Sequence, residues 1–197
     1  DNQTFIGFIP GTIIPIEEDN NLLPIVTTIK DYSSFIPEGH HKEDAKPSFE
    51  NIPESLKIAI KCFIITCAIR IVRGQEHKHN SMLIHISRYQ VWQNAIKELV
   101  ERQFKFYKQE IEAGDPIILE EFRRIFEEDY TNADGFEYNS YKTISNSILN
   151  SELRNIDNKI QVHDWAVVKD QLYKAVQNIA VKTINGSSRD VIDYQLN

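Results

Sequence analysis

The chain has 197 residues, 41% hydrophobic and 26% charged, with a formal net charge of -7 and a pI near 5.4. This is the balance of a soluble domain that buries a core of its own, so it needs neither a disulfide framework nor a structural metal. No uncharged apolar run reaches the ~20 residues of a membrane span, and an acidic chain does not grip nucleic acid by net charge alone, although a local basic face can.

The first residues lack the charged, apolar, small-residue order of a signal peptide, and the chain opens on Asp1. It reads as a piece of a longer protein, with no membrane partner and a cytoplasmic location. The two cysteines, Cys62 and Cys67, fall in the most apolar stretch. They exclude a disulfide scaffold and a four-cysteine zinc site, and they are expected to be buried, inert thiols in a reducing compartment.

Residues 1–50 form an extended N-terminal segment punctuated by Pro10, Pro15, Pro24, Pro37 and Pro47. Phe5–Ile9 and Ile25–Ile29 read as short strands, and Pro37–Pro47 as a solvated loop. Such a segment is expected to lie across a neighbouring surface. Residues 51–197 read as a helix-rich domain. Pro53 suits the first turn of a helix that runs from Leu56 to Val72 and is apolar on nearly every face, with Gly74 at its exit. Lys57, Lys61 and Arg70 interrupt it.

Ser81–Ser87 reads as a short buried strand. From Arg88 a long helix carries the stripe Trp92, Ile96, Val100, Phe104, Tyr107 and Ile111 and ends at Gly114. Asp115 is the expected N-cap of a third helix with Ile118, Phe122 and Ile125 on its buried face. A loop around Asn132–Gly135 leads to a helix carrying Tyr141, Ile144, Ile148 and Leu153. Asp164 then opens a helix with the stripe Trp165, Val168, Leu172 and Val176. Ile179–Ile184 reads as a second strand running into the turn Asn185–Ser188. Two apolar strands joined through helices imply a parallel pair. The connection is far longer than an ordinary crossover, so residues of about 113–162 read as a helical insertion.

The run Ile52-Pro53-Glu54-Ser55-Leu56, with Ala59-Ile60, Cys67-Ala68-Ile69-Arg70, Arg73-Gly74 and the block His79 to Arg88, resembles the Z-one domain family. Val181–Ser188 with Asp193-Tyr194 resembles it more weakly, and the helical middle carries no matching motif. That family is one of endonucleases of bacterial restriction and phage-defence loci, joined to superfamily two helicase ATPases. The resemblance implies an α/β fold with an incomplete RecA-like parallel sheet and a large helical insertion. It also implies a DNA-acting hydrolase as the parent protein, with ATP and Mg as its cofactors. This sequence has no Gly-Lys-Ser/Thr and so no phosphate-binding loop. ATP would bind between this lobe and a missing flanking ATPase lobe, and the chain alone would be inactive.

In open parallel sheets ligands sit at the carboxyl ends of strands, and a helix N-terminus offers N–H groups to a phosphate. In a helicase-like lobe Ser87 and Arg88, with Asn185, Ser187 and Arg189 at the end of the second strand, would then contact the nucleic-acid backbone. The plainer alternative makes Ser87 a cap, Arg88 a surface charge and Asn185–Arg189 a polar turn. His77, His79 and His85 lack the spacing and company of a zinc site. The acid–any–lysine patterns Asp44–Lys46, Glu76–Lys78 and Asp157–Lys159 lack the partner carboxylates of a magnesium nuclease. No catalytic, cofactor or metal residue is therefore assigned. A second functional class also fits: a module whose helical insertion binds a protein of the same defence locus, with no catalysis of its own.

Overall fold

The computed structural model describes residues 27, 29–32, 35–36, 50–85, 87, 89–133, 136–151 and 161–183. The predicted strand Phe5–Ile9 and the loop Pro37–Pro47 lie outside them. Helix α1 spans Glu54–Val72, α2 Gln90–Ala113 and α3 Pro116–Glu127. Strands β1 (Tyr130–Thr131) and β2 (Glu137–Tyr138) form a hairpin, followed by α4 (Tyr141–Leu149) and α5 (Trp165–Gln177). The chain divides into two compact units. One contains residues 31–123 and 163–197, the other residues 1–30 and 124–162.

In the larger unit, α1 starts after Pro53, which offers its first turn no side-chain bond. The cap comes from Asp31, 24 residues upstream: its carboxylate accepts the Ser55 N–H at 2.9 Å and the Ser55 hydroxyl at 2.6 Å. At the other end Gly74 has φ of +67°. The Gly74 N–H donates to the Ile71 carbonyl at 2.9 Å and the Gln75 N–H to the Arg70 carbonyl at 2.8 Å. This pairing satisfies the last carbonyls of the helix and requires the left-handed conformation that glycine tolerates. Gly114 (φ +70°) closes α2 in the same way.

Helix α2 begins two residues later than its sequence pattern predicts, and buries Trp92, Ile96, Val100, Tyr107 and Ile111, with Phe104 only half-buried. Asp115 caps α3 as expected, its Oδ1 accepting the N–H groups of Ile117 at 3.0 Å and Ile118 at 2.8 Å. Asp164 occupies the N-cap position of α5 but makes no side-chain capping bond. Helix α5 packs along α1 and also against α2, burying Val168, Leu172 and Val176 completely. Spacings of three and four along each helix put these residues on one face, and that face carries the hydrophobic stabilisation.

The expected parallel sheet is absent among the described residues, whose only sheet is the antiparallel pair β1–β2. Met82–His85 and Ile179–Thr183 have no ladder partner there, yet exposure alternates along both with period two. Met82 and Ile84 are half-buried between exposed neighbours, and Leu83 is 83% exposed. The alternation is that of a strand with one covered face. A parallel pair needs flanking strands and layers over both faces, and the exposure of Leu83 shows one face uncovered.

The smaller unit is built around that hairpin, with Tyr130 opposite Tyr138 and Thr131 opposite Glu137. The Tyr130 and Tyr138 rings stack at 5.3 Å. Phe126, in the last turn of α3, is fully buried and stacks on Tyr141 at 4.6 Å. Asp129 fastens the start of α4: its carboxylate accepts the Ser140 N–H at 2.7 Å and the Thr143 hydroxyl at 2.9 Å.

The Ser140 backbone N–H is the main cause that holds the Asp129 carboxyl below the ordinary Asp range, with the Thr143 and Ser140 side chains adding to it. A group depressed on folding contributes stability above its unfolded pKa of ~3.9 and loses that contribution as pH falls through the folded value. Asp129→Asn is therefore expected to lower the melting temperature at pH 6 and to differ much less from wild type near pH 3. An equal deficit at both pH values would assign the loss to geometry rather than charge.

Candidate nucleic-acid interface

The extended segment Met82–His85 leads through Ser87 into α2. Ser87 is buried, at 4% exposure. Its Oγ accepts the Tyr89 N–H at 3.1 Å, and its carbonyl accepts Gln93 Nε2 at 2.8 Å. Both groups are used in closing the turn, a common role for serine ahead of a helix. Gln93 Oε1 is buried without a hydrogen-bond partner among the described residues. Tyr89 sits at the N-cap of α2 and gives no side-chain cap, and no acidic residue lies in the first turn. What this turn offers an anion is the first-turn backbone, beside the exposed Gln90 and Val91, rather than the serine hydroxyl. Arg88, Asn185, Ser187 and Arg189 lie outside the described residues, so Ser87 alone of the predicted contacts has a described place.

A second charged region lies where α1 ends, and its arrangement is not legible in the sequence. Arg70 donates through Nη2 to the carbonyls of Lys78 at 3.3 Å and His79 at 3.2 Å, pinning the loop that leaves the helix. Arg73 Nε donates to His163 Nε2 at 3.3 Å. Burial, with Arg73 as the second cause, pushes His163 below the ordinary histidine range, while Asp164 acts the other way. Glu76 is paired with Lys174 and lies 3.3 Å from His77, and the Lys174 ammonium is the main reason its carboxyl stays below the usual range. At the sequence level Arg70 and Arg73 only complement a helix C-terminus. That His163, 90 residues away, meets Arg73 is a matter of tertiary packing.

The remaining candidates are dispersed. His77, His79 and His85 are all exposed, and among the described residues no three His, Cys, Asp or Glu side chains gather around one point. Of the three acid–any–lysine patterns only Glu76–Lys78 is described, and its carboxylate is held by Lys174. The cysteines are not both buried: Cys62 is exposed and Cys67 intermediate. Cys67 Sγ accepts Asn80 Nδ2 at 3.3 Å, and burial raises its thiol pKa.

A family model for the Z1 domain matches residues 55–197, from the first turn of α1 through the end of the chain. The chain belongs to the Z1 domain family. The matched range includes the helical middle with α3, the hairpin and α4. Motif resemblance alone reached only the two ends of this region. No curated protein sequence and no solved structure matches the chain. No helix among the described residues is long and apolar enough to cross a membrane.

Proposed function

We propose that this Z1 domain is part of a DNA-acting, ATP-driven enzyme of bacterial restriction or phage defence, working in the cytoplasm. In that enzyme it supplies part of a second RecA-like lobe and contacts to the nucleic-acid backbone. The observation that carries the reading is the turn at Ser87. A segment with strand-like alternation ends there in a buried serine and opens the 24-residue helix α2, the arrangement in which open α/β sheets place phosphates. Ile179–Thr183 has the same alternation and would be the neighbouring strand once flanking strands are present. Magnesium and ATP belong to the flanking lobe, because this sequence contains no Gly-Lys-Ser/Thr. Endonuclease action belongs to the parent enzyme.

Fluorescence anisotropy with a labelled DNA duplex tests the reading. Arg88→Ala is expected to weaken binding by a similar factor for unrelated sequences and to lower the salt dependence by about one phosphate contact. The chain alone is expected to show no ATP hydrolysis and no magnesium-dependent cleavage. Unchanged affinity in the variant, or ATPase activity that co-purifies with the chain, would count against it. The exposed Leu83 and Ile117, at 83% and 71%, favour a second reading in which the domain docks a protein of the same locus. Such binding would be insensitive to salt.

A further inference from the structure

We propose that the C-terminal end of α1 and the loop leaving it form a second phosphate-contact surface, in which Arg73, positioned by His163, and Lys78 grip the backbone of a nucleic acid. The inference rests on the reading that this domain acts on DNA, but it uses residues other than those of the turn at Ser87.

The chain as a whole is acidic, yet this end of α1 collects positive charge. Arg70, Arg73 and Lys78 make no ion pair with a carboxylate among the described residues. The one carboxylate in the loop, Glu76, is already neutralised by Lys174. Arg70 is spent on two backbone carbonyls and fixes the path of the loop. Among the described residues Arg73 is engaged through Nε, and its partner there is an imidazole nitrogen rather than an acid. That contact holds the guanidinium plane while leaving its Nη hydrogens for a planar, bidentate phosphate contact. Lys78 and Arg73 are exposed, as a docking surface requires.

The charge pattern also selects the partner. A helix C-terminus attracts cations, so one basic residue there is ordinary. Here the last α1 carbonyls are met by the Gly74 and Gln75 N–H groups, and the arginine side chains are not needed to satisfy them. A repeated phosphate backbone matches several separated cationic heads, each releasing counterions on binding.

The test uses the whole chain and a labelled duplex across a salt series. Arg73→Gln with Lys78→Ala is expected to weaken binding by roughly tenfold at low salt and to reduce the log–log salt slope by about 2. Lys57→Ala removes one charge at the opposite end of α1 and is expected to leave both nearly unchanged. Lys78→Ala alone, a substitution at an exposed loop position, is expected to leave the melting temperature within about a degree of wild type and to give about half of the slope change. Wild-type affinity in the double variant, alongside weakened binding by Arg88→Ala, would overturn this inference and leave the Ser87 reading standing. Equal weakening by Lys57→Ala would also overturn it, as an effect of net charge. Absence of DNA binding by the wild-type chain would overturn both.

Discussion

Glu121→Ala is expected to destabilise the chain by roughly 3 kcal/mol in urea unfolding, while Lys61→Met stays within about 1 kcal/mol of wild type. The asymmetry follows from where the two charges sit. Lys61 lies on α1 with only 6% of its side chain exposed, and its ammonium meets Glu121 Oε2 at 2.6 Å. The glutamate side chain is 44% exposed. Removing Glu121 strands an ammonium in the core, facing the Tyr107 ring at 5.3 Å, and a cation–π contact does not replace an ion pair. Removing Lys61 instead frees a carboxylate that already reaches water, and methionine fills the space with apolar volume. The loss from Glu121→Ala falls at the low end for buried pairs because the pair is wet on one side. A larger loss from Lys61→Met than from Glu121→Ala would show that the pair stabilises by attraction rather than by avoiding a stranded charge.

The second large effect is at Phe122. Phe122→Ala is expected to cost about 3–5 kcal/mol. Phe122 has no exposure at all and meets Tyr107 edge-on, with ring centroids 5.8 Å apart at 87°. The substitution loses the transfer free energy of the ring, leaves a cavity against Tyr107, and removes an aromatic pair worth about 1 kcal/mol beyond its area. Tyr107 itself is 2% exposed, and burial, reinforced by Glu54 and Glu121, pushes its phenol well above the ordinary tyrosine range. It therefore stays neutral beside the Lys61–Glu121 pair. Leu83→Ser provides the contrast: at 83% exposure it is expected to change stability by less than about 0.5 kcal/mol. Phe122→Ala within 1 kcal/mol of wild type would place the centre of the core elsewhere.

The helices were legible because their signals are local. Gly74 and Gly114 close helices as their positions predict, Asp115 caps α3, and the stripe from Trp92 to Ile111 faces inward save for Phe104. What escaped the sequence depends on distant partners. Asp31 caps α1 from outside any pattern of neighbouring residues. Lys61 looked like a charge interrupting an apolar run, and only its meeting with Glu121, 60 residues on, explains its burial. The hairpin β1–β2 has two residues per strand, too few for any periodicity to register. The segments at Met82 and Ile179 show the converse: their apolar runs carry strand-like alternation, but a ladder is a property of pairs, which no single segment determines. The serine ahead of α2 is placed by the sequence pattern, whereas the pairing of Arg73 with His163, 90 residues away, is not.

A Z1 domain that contacts a nucleic-acid backbone, as proposed, must bind DNA with an affinity that depends on salt. The most direct test is the affinity of the wild-type chain for a labelled duplex between about 50 and 200 mM salt. Log affinity is expected to fall linearly with log salt with a slope of about 3 in magnitude, one phosphate contact each for Arg88, Arg73 and Lys78. Binding that ignores salt, or no binding even at the lowest salt, would contradict it and leave the protein-docking reading in its place.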